Sequence, residues 1–129
     1  MNQMIFFTAM ILSLLGIASS DTDKRQLLLF TQKNTIMVEK QLEIWNAEKV
    51  GMEERDLTFK VVTGNELLYK KYKVDKQTDF TLILVGKDGS EKLRTYNLLT
   101  TKKLFALIDA MPMRRDEMRN KGRNQSIIP

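Results

Sequence analysis

Apolar residues follow two rhythms along this chain, and the alternation between them predicts a mixed α/β domain. Leu27, Leu28, Leu29 and Phe30 form an unbroken apolar run within 26–31, the pattern of a central strand buried on both faces. Asn34 or Thr35 can then cap a helix running to about Val50. Its Met37, Val38, Leu42, Ile44 and Trp45 make one apolar side, and Gly51 supplies the stop. Leu57, Phe59 and Val61 alternate with Thr58 and Lys60, which predicts a second strand. Thr63 with Glu66 reads as a capping box that opens a short helix through Leu67, Leu68 and Tyr72. The apolar run from Phe80 to Val85 passes through Gly86-Lys87-Asp88-Gly89 into Glu91–Tyr96, and the Asp-Gly pair marks a hairpin. A final helix begins near Thr100 or Thr101 and carries Leu104, Leu107, Ile108 and Met111 at helical spacing. Pro112 ends that helix or starts a new turn, and the residues from Arg119 onward read as frayed.

The N-terminus has a different pattern. From Met4 to Ala18 the chain is apolar and uncharged, the length of a signal peptide and short of the roughly 18 to 20 apolar residues of a membrane span. Ala18 and Ser20 supply the small-x-small pattern of a cut before Asp21. Met1-Asn2-Gln3-Met4 carries only the amino terminus as positive charge, so an uncleaved anchor is the alternative; with no cysteine after the run, a lipoprotein anchor is excluded. The expected organisation is a signal peptide over 1–20, one domain over 21–119 and a flexible basic tail over 120–129. The expected location is periplasmic or secreted, with the membrane met only in transit.

Composition changes this picture mainly by exclusion. Without cysteine there is no disulfide, iron–sulfur cluster, thiolate zinc site or thiol nucleophile. Without histidine there is no Ser-His dyad, no imidazole metal ligand and no base that titrates near neutrality unaided. No cofactor or metal is implied. The net charge of +5 is modest and speaks to solubility before it speaks to a partner.

The order strand, helix, strand, helix, strand, hairpin strand, helix is that of the thioredoxin fold: a central mixed sheet of about four strands flanked by helices. That fold places a Cys-x-x-Cys pair where the first strand feeds the first long helix, because a helix N-terminus lowers a thiol pKa. Asn34 and Met37 stand approximately at those positions, and Phe80 stands where a cis-proline usually precedes the third strand. The redox site is therefore degenerate. The stretches RQLLLFT at 25–31, ERDLTFKVV at 54–62, LILVGKDGSEKLR at 82–94 and LFALIDAMPMRRDEMR at 104–119 resemble a cysteine-poor, thioredoxin-like family, domain of unknown function 4174. The family occurs in exported bacterial proteins and in animal extracellular-matrix proteins. The resemblance implies the fold, export and a non-redox role, and it supplies no catalytic residues.

Among candidate sites, Arg114, Arg115 and Arg119, with Lys121 and Arg123 beyond, make the densest positive patch. Arg115 and Arg119, at i and i+4 on a helix, suit a carboxylate or sulfate of a partner, though a solvated terminal helix explains them as well. Lys70, Lys71, Lys73 and Lys76 read as the wet side of a short helix rather than as a nucleic-acid surface. GKDGSEKLR lacks a Walker spacing and reads as a turn, Glu53, Glu54 and Asp56 fit no metal loop, and Trp45 reads as core. These readings favour a protein- or polyanion-binding module whose partner is an envelope or extracellular protein or an acidic polymer, with no nucleic acid. The alternative is an oxidoreductase or peroxidase-like enzyme working by a non-thiol mechanism or through a cofactor.

Overall fold

A computed structural model describes residues 23–127, and the apolar segment expected to direct export lies outside the described residues. Four strands, β1 (Arg25–Phe30), β2 (Leu57–Val62), β3 (Thr81–Val85) and β4 (Glu91–Thr95), form one sheet in the order β2-β1-β3-β4. β1 runs parallel to β2, with Arg25 opposite Leu57 and Phe30 opposite Val62, while the β1–β3 and β3–β4 pairs are antiparallel. A parallel pair needs a crossover, supplied by α1 (Ile36–Asn46) and α2 (Lys49–Glu54). α3 (Glu66–Lys71) links β2 to β3, and α4 (Thr101–Asp109) and α5 (Pro112–Ile127) follow β4. This four-stranded mixed sheet with flanking helices is the expected architecture, and its connectivity is consistent with a thioredoxin-like fold.

β1 and β3 are buried on both faces because each face carries its own core. On one side Leu27, Leu29, Leu82 and Leu84 meet Val38, Trp45, Met52, Leu104 and Ile108 from α1, α2 and α4. Trp45 is fully buried, as its apolar setting required, and its ring lies 5.2 Å from that of Phe59. On the other side Leu28, Phe30, Ile83 and Val85 meet Tyr69 and Val74, with the Phe30 and Tyr69 rings edge to face at 5.0 Å. Each large aliphatic side chain so enclosed contributes about 1.5–3 kcal/mol relative to exposure.

Three helix boundaries depart from the sequence reading. The first long helix stops at Asn46, and Gly51 lies inside α2 rather than ending α1. A Cβ on Gly51 would stand 2.7 Å from the Phe105 ring, so the residue is small to let α4 approach. α3 is capped by Asn65, whose side chain accepts from the Leu68 N–H, not by Thr63; Gly64 turns the chain there with φ of 66°. α5 begins at Pro112 and continues to Ile127, through the segment read as a frayed tail. Elsewhere Thr35 and Thr100 cap α1 and α4, and Gly89, at φ of 82°, closes the hairpin turn from Gly86. Among the described residues no helix is long and apolar enough to cross a membrane.

Candidate functional site

The topology gives the sheet two unlike ends. β1, β2 and β4 all point the same way, so their carboxyl ends, the start of β3 and the first turns of α1, α3 and α4 gather at one end. Loops at the carboxyl ends of strands are where open α/β sheets place ligands. Here they carry large apolar side chains in solvent: Ile36 is 71% exposed and Leu67 81%, with Met37, Tyr96 and Leu98 also exposed. These are five of the ten large hydrophobics exposed among the described residues, and they come from segments far apart in sequence.

The loops that hold them are fixed from beneath. Gln41 of α1 is fully buried; its Nε2 donates to the Leu99 carbonyl at 2.8 Å, and its Oε1 accepts from the Leu99 N–H at 2.7 Å. That paired contact ties the loop bearing Tyr96 and Leu98 to the helix bearing Ile36 and Met37. Thr31, also buried, donates to the Lys33 carbonyl at 2.6 Å and shapes the β1–α1 loop. Burial raises the pKa of the Tyr69 hydroxyl, and the edge-to-face contact of Tyr69 with Phe30 at the end of β1 places α3 beside the same loop.

Asn34, Met37 and Phe80 are all at this end. Asn34 is exposed and donates to Glu39 at 3.2 Å, and Met37 lies in the open first turn of α1. Phe80 is buried and joins the core with Leu82 and Leu99 rather than lining the surface. The two residues expected at thiol positions thus place an amide and a thioether at the surface.

The opposite end is closed by ion pairs. Arg25, only 1% exposed at the start of β1, holds Glu117 of α5 in a two-point contact at 2.8 and 3.2 Å and donates to the Arg55 carbonyl at 2.7 Å. Lys87 of the hairpin reaches Glu117 at 2.6 Å and Asp56 at 2.8 Å. Arg55 lies 3.9 Å from the Phe105 ring centre and pairs with Asp109 at 2.9 and 3.0 Å. Burial alone would raise the Asp109 and Glu117 carboxyls, but Arg55 and Arg114 for the first, and Arg25 and Lys87 for the second, hold both below the ordinary range. Burial likewise works against the Lys87 ammonium, and Asp56 and Glu117 outweigh it and hold its pKa above the usual value.

This end separates the arginines that sequence grouped together. Arg114 is buried, donating to the Glu54 carbonyl at 2.9 Å and facing Asp109 at 3.4 Å, so it belongs to the closure and not to a surface patch. Arg119 is exposed and pairs with Asp116 at 2.9 Å, while Arg115 is exposed with no side-chain partner among the described residues. Asp56 pairs with Lys87, and among the described residues no group of three or more acidic side chains is placed to hold a metal. Sequence reasoning missed this cluster because its members come from four segments far apart in the chain. Their one shared signal is that all seven charged residues fall within the four family-like stretches: Arg25; Arg55 and Asp56; Lys87; Asp109, Arg114 and Glu117.

A solved structure described as "Structure of a malarial protein" is similar in fold, with a TM-score of 0.52 and 21% identity, covering 67% of this chain and 94% of that one. No curated protein matches the chain. The model of the family described as "Domain of unknown function (DUF4174)" matches residues 17–117, most of the chain and every member of the charged closure, and the protein belongs to that family.

Proposed function

We propose that this chain is an exported protein-binding domain that grips an extended, apolar segment of another polypeptide at the carboxyl end of its sheet. The observation that carries the reading is that Ile36, Met37, Leu67, Tyr96 and Leu98 all stand in solvent at this one end, where Gln41 pins the loop bearing Tyr96 and Leu98 to α1. Apolar side chains held open on a fixed frame suit recognition, because their desolvation favours association and their frame lowers its entropic cost. The end is also where a thioredoxin-like domain keeps its reactive thiols; a chain without cysteine has only the binding surface left there. The apolar run over 4–18 supports export.

A second reading, an acidic-polymer partner, rests on exposed Arg115. It draws on one free guanidinium where the sequence offered three, since Arg114 is buried and Arg119 is paired. Probing an immobilised array of extended peptides with the purified protein, alongside chromatography on heparin, separates the two. The proposal expects binding to peptides rich in large apolar side chains, lost in Leu67→Asp and Ile36→Asp and kept in Arg115→Ala. Retention on heparin that only Arg115→Ala removes, with no peptide bound, would contradict it.

A further inference from the structure

The two edges of the sheet, β2 and β4, are finished differently. β4 carries Glu91, Lys92 and Arg94, and its pairing with β3 is interrupted by a register shift between Leu84 and Val85. Charge and irregularity are the devices that keep an edge from adding a further strand. β2, Leu57-Thr58-Phe59-Lys60-Val61-Val62, has no proline, no register shift and one charged side chain. The Arg25 N–H donates to the Asp56 carbonyl and the Thr31 N–H to the Val62 carbonyl, so the even-numbered positions of β2 face β1. Strand geometry then turns the N–H and C=O of Leu57, Phe59 and Val61 toward an edge that no strand among the described residues covers. Beside that edge lies a groove of 410 Å³ whose apolar wall is Met52, Leu57 and Phe59 and whose rim carries Lys24, Lys49 and Glu53.

We propose that β2 pairs antiparallel with β2 of a second copy of this chain, about a two-fold axis at Phe59, joining the two sheets into one. The strand is self-complementary in that register. Phe59 meets Phe59 of the partner subunit and Leu57 meets Val61 of the partner subunit, so all three outward-facing positions exchange paired backbone hydrogen bonds. These side chains share one face, where Phe59 of the partner subunit enters the groove beside Met52, and Val61, 38% exposed, is covered. On the other face Thr58 lies opposite Lys60 of the partner subunit. An axis at Lys60 would set two ammonium groups against each other, and an axis at Thr58 would leave Val61 opposite a position outside the strand. A second copy therefore supplies what the edge asks for: an apolar, uninterrupted strand with its charge displaced by two residues. The pairing site is separate from the apolar carboxyl end and does not depend on the function proposed for that end.

The chain's lack of cysteine permits a direct test. Thr58→Cys and Lys60→Cys are made as separate single-cysteine proteins and oxidised alone and as an equimolar mixture, with light scattering of the unmodified protein and of Val61→Lys in parallel. The proposal expects twice the chain mass for the unmodified protein, a single chain mass for Val61→Lys with an unchanged circular dichroism spectrum, and a covalent dimer forming at least about tenfold faster in the mixture than in either protein alone. Directly opposed positions bring Cβ atoms to about 4.5–5.5 Å, whereas like positions face each other only diagonally. A monomer at millimolar concentration, or cross-linking as fast in either protein alone as in the mixture, would overturn it. The cross-link comparison decides the matter should Val61→Lys fail to fold.

Discussion

The two ends of the sheet solve opposite problems with opposite chemistry. At the amino end of β1, four cations and three carboxylates interlock around a side chain that is 1% exposed, and nearly every charged group has a partner. At the carboxyl end the buried polar groups Gln41 and Thr31 fix the loops from beneath, while Ile36, Met37 and Leu67 stand in solvent. Charges that satisfy one another have little left for a partner; apolar groups in water gain by finding one. The family-like stretches accordingly mark the part that holds the fold together, and the surface proposed for binding lies between them. Recognising a family by such stretches therefore identifies the scaffold and is silent about the ligand.

The sharpest way to break this contrast is at Glu117. Glu117→Ala leaves Arg25 buried with only a carbonyl acceptor on that side, and should cost about 3–5 kcal/mol, read as a drop in the urea midpoint. Replacing Arg25 and Glu117 together by methionine should recover much of that loss, because the cost lies in the uncompensated charge. Gln41→Leu removes both contacts to Leu99 and should cost about 2–3 kcal/mol while loosening the loop that bears Tyr96 and Leu98, seen as faster amide exchange over 96–100. A smaller effect is expected at Asp109. Asp109→Asn should cost about 1 kcal/mol at pH 7, a value reduced by the partial exposure of the carboxylate. Because its folded pKa is depressed, that stabilisation is complete above the unfolded value of about 3.9 and disappears as pH falls through the folded value, so the two proteins should converge in acid. The smallest stability change belongs to Ile36→Asp and Leu67→Asp: about 0.5 kcal/mol or less in melting experiments, with peptide binding lost.

Most of the frame was legible because its signals are local. The run Leu27–Phe30, the alternation through Leu57–Val61 and the Asp88-Gly89 turn each reflect period or turn chemistry within a few residues, and all appear where expected. The split between α1 and α2 was hidden because Gly51 answers to Phe105, a residue of another helix; a glycine that permits close packing looks in sequence like one that ends a helix. Asn65 and Thr63 are both good caps, and the φ of 66° at Gly64 selects between them. The site was less legible. Arg114 and Arg115 are neighbours of identical chemistry, yet the helix turns one toward Asp109 and the other to water, and only the packing of α5 decides which. Leu67 and Leu68 are a similar pair, with Leu68 set against the core and Leu67 left outside.

The most direct test of the central claim is an amide NMR titration of the labelled protein with an apolar peptide taken from the array. Shifts should concentrate at Lys33–Val38, Gly64–Leu68 and Tyr96–Leu99, with Arg25, Arg55 and Lys87 unmoved. Shifts centred instead on the hairpin and α5, leaving Ile36 and Leu67 unmoved, would contradict it.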